Sequence, residues 1–184
     1  MTSANQLTIL RMVSVPLFVI LIVYDYVGGA LMVFVIAGLT DLLDGFIARR
    51  FGQKTPLGTF LDPIADKLLI MSSFVVLSMD GLELVVKIPA WLTIMVIGRD
   101  ILLVISVVII NLAIEKRLFL PSIFGKATTF IQLVTIFVVM LLSYLKVDFS
   151  GVNMLFYATF ALTAISGFHY LARGMVIFGD VREG

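Results

Sequence analysis

Six apolar runs, each close to the length that crosses a bilayer, constrain what this chain can fold into. A membrane helix needs roughly 20 largely apolar residues. The runs lie near 7–24, 29–49, 60–79, 88–113, 124–145 and 153–178. Breakers separate them: Gly28-Gly29, Gly52 to Pro56, Asp80-Gly81, Glu115 to Pro121 and Lys146 to Gly151. Hydrophobic residues fill 61% of the 184 positions, against about 45–50% in soluble domains even with glycine counted. The expectation is an all-α integral membrane protein of about six transmembrane helices. It forms one domain over 1–184, and Pro16 is placed to kink the first helix. The opening MTSANQLTILR puts its first positive charge, Arg11, inside the apolar run. It reads as an interfacial stretch leading into a retained helix rather than as a cleavable signal.

Lysine and arginine in the short connections set the orientation. Arg49, Arg50 and Lys54 flank the second connection, Lys116 and Arg117 the fourth, and Arg173 and Arg182 the C-terminal end. The opposite side has only Lys87 and Lys146, with the acidic Asp25, Asp80, Glu83 and Asp148. Both termini are therefore expected in the cytoplasm, which fits an even number of spans.

Against this background, four carboxylates stand out. Asp41 and Asp44 close one apolar run, and Asp62 and Asp66 open the next. A charge at membrane depth is costly, and such residues usually face a partner, a cavity or an ion pathway. Asp41 and Asp44, three apart, share one helix face with Gly45 and Ala48, and Arg49 lies at its edge. On the following helix Gly58, Asp62 and Asp66 repeat every four residues. A short loop would make the two helices antiparallel neighbours, so the carboxylate pairs would converge at the cytoplasmic surface. With no cysteine and a single histidine, His169, Cys-based and multi-His metal sites are excluded. Oxygen-ligated Mg2+ or Mn2+ remains. Two such ions can bridge phosphate oxygens and stabilise a leaving group. The competing reading is a set of helix-end carboxylates paired with Arg49, Arg50, Lys54 and Lys67.

The pattern D-x-x-D-G-x-x-A-R-x8-G-x3-D-x3-D resembles the signature of the CDP-alcohol phosphotransferase family. Every fixed position matches: Asp41, Asp44, Gly45, Ala48, Arg49, Gly58, Asp62 and Asp66. The resemblance implies a six-helix membrane enzyme, usually a homodimer, with two divalent cations at a site open to the cytoplasm. It implies that Asp41, Asp44, Asp62 and Asp66 hold the metals and that Asp66 is also the general base. Asp44, Gly45, Ala48, Arg49 and Gly58 would line the pocket for the cytidine nucleotide of CDP-diacylglycerol. The setting it implies is a membrane, the inner membrane of a bacterium, with the site facing the cytoplasm.

Three further groups bear on the acceptor. Asn5, Thr8 and Arg11 recur every three residues into the first helix. Arg99 and Asp100 sit in the middle of the fourth apolar run, and Lys126, Thr129 and Gln132 recur every three residues on the fifth. Arg11, Arg99 and Lys126 are candidates for a phosphate site, since charge-assisted bonds to phosphate are strong. Arg99 could instead pair with Asp100 or Glu115, and the Thr/Gln stripe could form interhelical hydrogen bonds. N-x-x-T-x-x-R and G-K-x-x-T-x-x-Q resemble the phosphatidylglycerophosphate synthase branch and the CMP-forming cardiolipin synthase branch. Arg99-Asp100 and the ending SGFHYLARG lean toward the second. The expected acceptor is sn-glycerol 3-phosphate, with Asn5, Thr8, Arg11, Arg99 and Lys126 binding it. The alternative acceptor is phosphatidylglycerol. An ion or proton transporter is a rival class, but no internal repeat is evident and the aspartates lie at one end of their spans. Intramembrane prenyl transferases lack the Gly-x-x-Ala-Arg spacing. His169 reads as a polar residue near the cytoplasmic end of the last helix, and Trp91 beside Pro89 as an interfacial anchor.

Overall fold

A computed structural model describes the backbone of residues 3–51, 56–113 and 123–182, and the side chains of residues 12–40, 67–105, 123–170 and 172. Six helices follow one another: α1 Ser3–Val23, α2 Val27–Phe51, α3 Pro56–Leu77, α4 Ala90–Ala113, α5 Ile123–Leu145 and α6 Val152–Arg182. No strand occurs among the described residues. The expected runs coincide with these helices to within a few residues, because glycine, proline and charged residues cluster at the breaks between them. Pro16 lies inside α1, which continues through it.

Contacts divide the chain into two units. One comprises 1–88 with 136–150, the other 89–135 with 151–184. In the first unit α1 packs on both α2 and α3. Phe18 and Ile22 of α1 are fully buried, and the Phe18 ring lies 6.1 Å from that of Phe34 on α2. Phe74 and Leu77 of α3 and Ile136, Val139 and Met140 of α5 are buried in the same unit.

Two of this unit's helices stop in the same way. After α1, Asp25 takes a left-handed backbone (φ 60°), and Tyr26 N–H donates to Leu21 O while Asp25 N–H donates to Ile22 O. After α5, Lys146 does the same (φ 54°), with Val147 N–H to Leu142 O and Lys146 N–H to Ser143 O. Both are Schellman closures, which satisfy carbonyls that the helix end would otherwise leave bare. Neither uses the glycine that this backbone favours.

The turns at this end of the unit are joined. Ser143 Oγ donates to Val86 O at 3.2 Å and lies 3.4 Å from Val86 N. Gly28, at the start of α2, sits under the Tyr144 ring, where a Cβ would meet ring carbon Cε2 at 2.7 Å. Ile88 N–H donates to Leu77 O, folding the α3–α4 connection back onto the end of α3. The connections carrying Asp25, Asp80, Glu83, Lys87, Lys146 and Asp148 thus share one end of the first unit.

In the second unit α4 packs on α6. Trp91 stacks on Tyr157 at 5.9 Å and meets Phe160 edge-on at 5.6 Å. The anchor expected of Trp91 is therefore a half-exposed aromatic cluster tying the start of α4 to α6. At the start of α5, the His169 ring of α6 lies 5.1 Å from Phe124.

Candidate active site

Both aspartate pairs fall on continuous helix. Asp41 and Asp44, with Gly45, Ala48 and Arg49, lie in the last three turns of α2, and Gly58, Asp62 and Asp66 in the first three turns of α3. Helical backbone through these positions places the i, i+3 and i, i+4 carboxylates of each pair on a common face. Four residues separate the two helices, and both pack on α1. Their side chains, and those of Asn5, Thr8 and Arg11 on α1, lie outside the described residues, as does the expected convergence of the carboxylates. The donor set itself fits hard divalent cations, since carboxylate oxygen is the ligand that Mg2+ and Mn2+ take. Among the described residues no cluster of three metal-ligating side chains occurs.

The second unit is inside-out relative to a soluble bundle. Thr128, Gln132 and Thr135 of α5 and Thr159, Thr163 and Ser166 of α6 are wholly buried. Ile94, Phe130 and Phe168, by contrast, are 72%, 67% and 72% exposed. Polar groups inside and large apolar groups outside suit a bilayer, where every polar group must find an internal partner. Among the described residues α5 is the one helix that is long and apolar enough to span by length and composition.

The polar residues form a seam. Thr135 Oγ lies 2.7 Å from Thr159 Oγ, and Thr128 Oγ donates to Leu162 O at 3.1 Å or to Phe124 O at 2.8 Å. Thr135 Oγ also reaches Ile131 O, and Thr159 Oγ reaches Leu155 O. Each hydroxyl has one proton, so three short contacts at the Thr135–Thr159 rung share two hydrogens. In the same seam, the Gln132 amide and the Thr163 hydroxyl have no hydrogen-bond partner among the described residues. The period-three stripe expected on α5 is split. Lys126 is exposed, Thr129 Oγ bonds back to Gly125 O at 3.1 Å, and Gln132 belongs to the seam.

Arg99 is 4% exposed and held at several points. Nη1 donates to Asp100 Oδ1 at 2.7 Å and Nη2 to Ser166 Oγ at 2.5 Å. The guanidinium carbon lies 5.6 Å from the Tyr170 ring centroid, within cation–π range. Of the partners expected for Arg99, Asp100 is found. Ser166, from a helix far along the chain, opens the SGFHYLARG ending, but nothing in the sequence marked it as a partner of Arg99. An apolar cleft of about 410 Å3 lies alongside, lined by Trp91, Ile94, Gly98, Phe160 and Gly167 as well as Arg99.

The sequence profile of the CDP-alcohol phosphatidyltransferase family matches residues 1–169. The chain belongs to that family. It is a membrane-associated family that generally uses divalent metals. A Mycobacterium tuberculosis protein described as a probable phosphatidylglycerophosphate synthase is 37% identical over 191 residues, covering 98% of this chain and 85% of the relative. A Bacillus subtilis CDP-diacylglycerol–glycerol-3-phosphate 3-phosphatidyltransferase is 27% identical over 186 residues, covering 92% and 93%. A CMP-forming cardiolipin synthase of Streptomyces coelicolor is 37% identical over 152 residues, covering 78% and 66%. The relatives thus fall in the two branches that the opening and α5 motifs resemble.

Proposed function

We propose that this phosphatidyltransferase moves the phosphatidyl group of CDP-diacylglycerol to sn-glycerol 3-phosphate, forming phosphatidylglycerophosphate and CMP. The observation that carries the reading is the eight-position aspartate motif, carried by the end of α2 and the start of α3. It is supported by similarity over nearly the whole chain to relatives named for this reaction.

The roles are those that the resemblance to the family implies. The acceptor's hydroxyl oxygen attacks the phosphorus that carries diacylglycerol. A phosphorus–oxygen bond to CMP breaks, and Asp66 takes the hydroxyl proton. Asp41, Asp44, Asp62 and Asp66 would hold two divalent cations, Mg2+ or Mn2+, which when bound neutralise charge on the pyrophosphate. Asp44, Gly45, Ala48, Arg49 and Gly58 are assigned to the cytidine nucleotide. The small residues let a ligand approach the backbone closely. Asn5, Thr8, Arg11, Arg99 and Lys126 are assigned to the acceptor, with Arg11, Arg99 and Lys126 taking its phosphate. The protein spans the inner membrane of a bacterium as a homodimer of single-domain chains, with the site on the cytoplasmic side. A lipid donor and a water-soluble acceptor can meet only at such an interface.

Phosphatidylglycerol as acceptor, giving cardiolipin, is the second reading. It is favoured by Arg99-Asp100, by SGFHYLARG and by the Streptomyces coelicolor relative. Purified protein given CDP-diacylglycerol, Mg2+ or Mn2+ and each acceptor separately decides between them. CMP release with glycerol 3-phosphate alone supports the first reading, and release with phosphatidylglycerol alone replaces it with the second. Ion transport without CMP release would remove the chain's assignment as a transferase.

A further inference from the structure

Arg99 is held in place by a single five-residue stretch of α6. Ser166 accepts from Nη2, Tyr170 lies beside the guanidinium, and a Cβ on Gly167 would sit 3.6 Å from Arg99 Cγ, so the arginine stem runs along that glycine. Asp100, the next residue on the same helix, balances the charge. Among the described residues, α6 therefore sets the direction in which the guanidinium points.

The hydrogen-bond inventory of this cage is incomplete in a particular way. Among the described residues, Arg99 Nε has no partner although it is buried. Ser166 Oγ accepts from Arg99, and among the described residues no acceptor is seen for its own proton. A guanidinium retained only to join two helices has no use for an unmet donor, since a buried donor without an acceptor keeps its full desolvation cost. Nε–H and the Ser166 hydroxyl are neighbouring donors on one bonded pair. Donors of this kind, one of them on a cation, suit a phosphate oxygen.

We propose that Ser166 is a binding residue for a phosphate oxygen of the acceptor, acting together with Arg99, and that Tyr170 is a positioning residue that holds the guanidinium in register. The proposal rests on the reading that Arg99 serves the acceptor. It adds a residue that none of the sequence motifs assigned. It also gives a role to part of the SGFHYLARG segment, which the transfer chemistry leaves unused.

The test is steady-state kinetics of the full-length protein in lipid nanodiscs, varying glycerol 3-phosphate and CDP-diacylglycerol in turn. Ser166→Ala should raise KM for glycerol 3-phosphate roughly tenfold, the size of one lost bond to a charged group. KM for CDP-diacylglycerol should stay put, and Ser166→Thr, which keeps the hydroxyl, should recover most of the loss. Tyr170→Leu should raise the acceptor KM, and Tyr170→Phe, which keeps the ring, should not. Arg99→Gln separates the two levels of the argument. If it raises the acceptor KM while Ser166→Ala does not, the Ser166 proposal is wrong and the role of Arg99 survives. If Arg99→Gln leaves the acceptor KM unchanged, both fall. Should Ser166→Ala fail to fold, the Tyr170 pair decides, and equal acceptor KM values for Phe and Leu overturn the proposal.

Discussion

A few side chains concentrate the chemistry. Asp66 combines two assigned roles, metal ligand and base, and Asn keeps its size while removing its charge and basicity. Asp66→Asn should leave helix content and thermal unfolding near those of the parent while lowering CMP release by at least about a hundredfold, the lower end for a lost general base. Normal turnover would assign the base elsewhere. Lys146 makes a prediction of the opposite sign. Its left-handed backbone is one that a side chain with a Cβ adopts at a cost and glycine adopts freely. Lys146→Gly should therefore stabilise the protein by about 1 kcal/mol, read as a higher unfolding midpoint in detergent. At this scale the sequence was legible where the residue type was expensive in its surroundings. Four carboxylates and Arg99 in apolar runs stand out by cost alone. Ser166 does not, because a serine in a membrane helix is cheap and its partner lies 67 residues away.

Helices were the most readable level, and the faces they present were harder to read. Each apolar run became one helix, since no other local structure satisfies its backbone without water. The exception is the stripe on α5. Residues three apart drift around a helix of 3.6 residues per turn, so Lys126, Thr129 and Gln132 do not stay on one face. The buried set is Thr128, Gln132 and Thr135, spaced four and three, which does follow one face. Which of two overlapping polar patterns turns inward depends on the neighbour, and α6 supplies matching hydroxyls at Thr159, Thr163 and Ser166. The Thr135–Thr159 rung should show as coupling. In a double-mutant cycle with Thr135→Val and Thr159→Val, the stability effects should depart from additivity by about 0.6 kcal/mol, the average for such bonds in membrane helices. Strict additivity would mean that each hydroxyl bonds only its own helix.

For the molecule as a whole, sidedness decides whether the aspartates can meet a cytoplasmic nucleotide. The basic connections and the acidic ones alternate along the chain, and in the first unit the acidic turns are held at one end by the Ser143–Val86 and Gly28–Tyr144 contacts. A chain without cysteine allows a clean test. In intact bacterial cells, Asp148→Cys should react with a membrane-impermeant maleimide, whereas Lys54→Cys should react only after lysis. The reverse pattern would put the aspartates on the wrong side for a cytoplasmic nucleotide. Six helices were readable because bilayer thickness acts on whole segments, while their alternation across the membrane is the expectation from loop charge that this labelling tests. The split into two contact units was not, because it depends on which side chains meet across helices, and apolar residues facing lipid resemble apolar residues facing protein.

The threonine seam has teeth at a regular pitch. Thr159 and Thr163 are one turn apart on α6, so a slide of that helix by about 5.4 Å past α5 would exchange one hydroxyl opposite Thr135 for another of the same kind. The rungs resist rotation, which would carry the hydroxyls away from each other, but they distinguish poorly between these two notches. The discrimination falls to contacts that do not repeat: Ser166 with Arg99, and His169 with Phe124. The Arg99 guanidinium is therefore the pawl on this rack, engaged with the one notch in which α6 presents Ser166 to it.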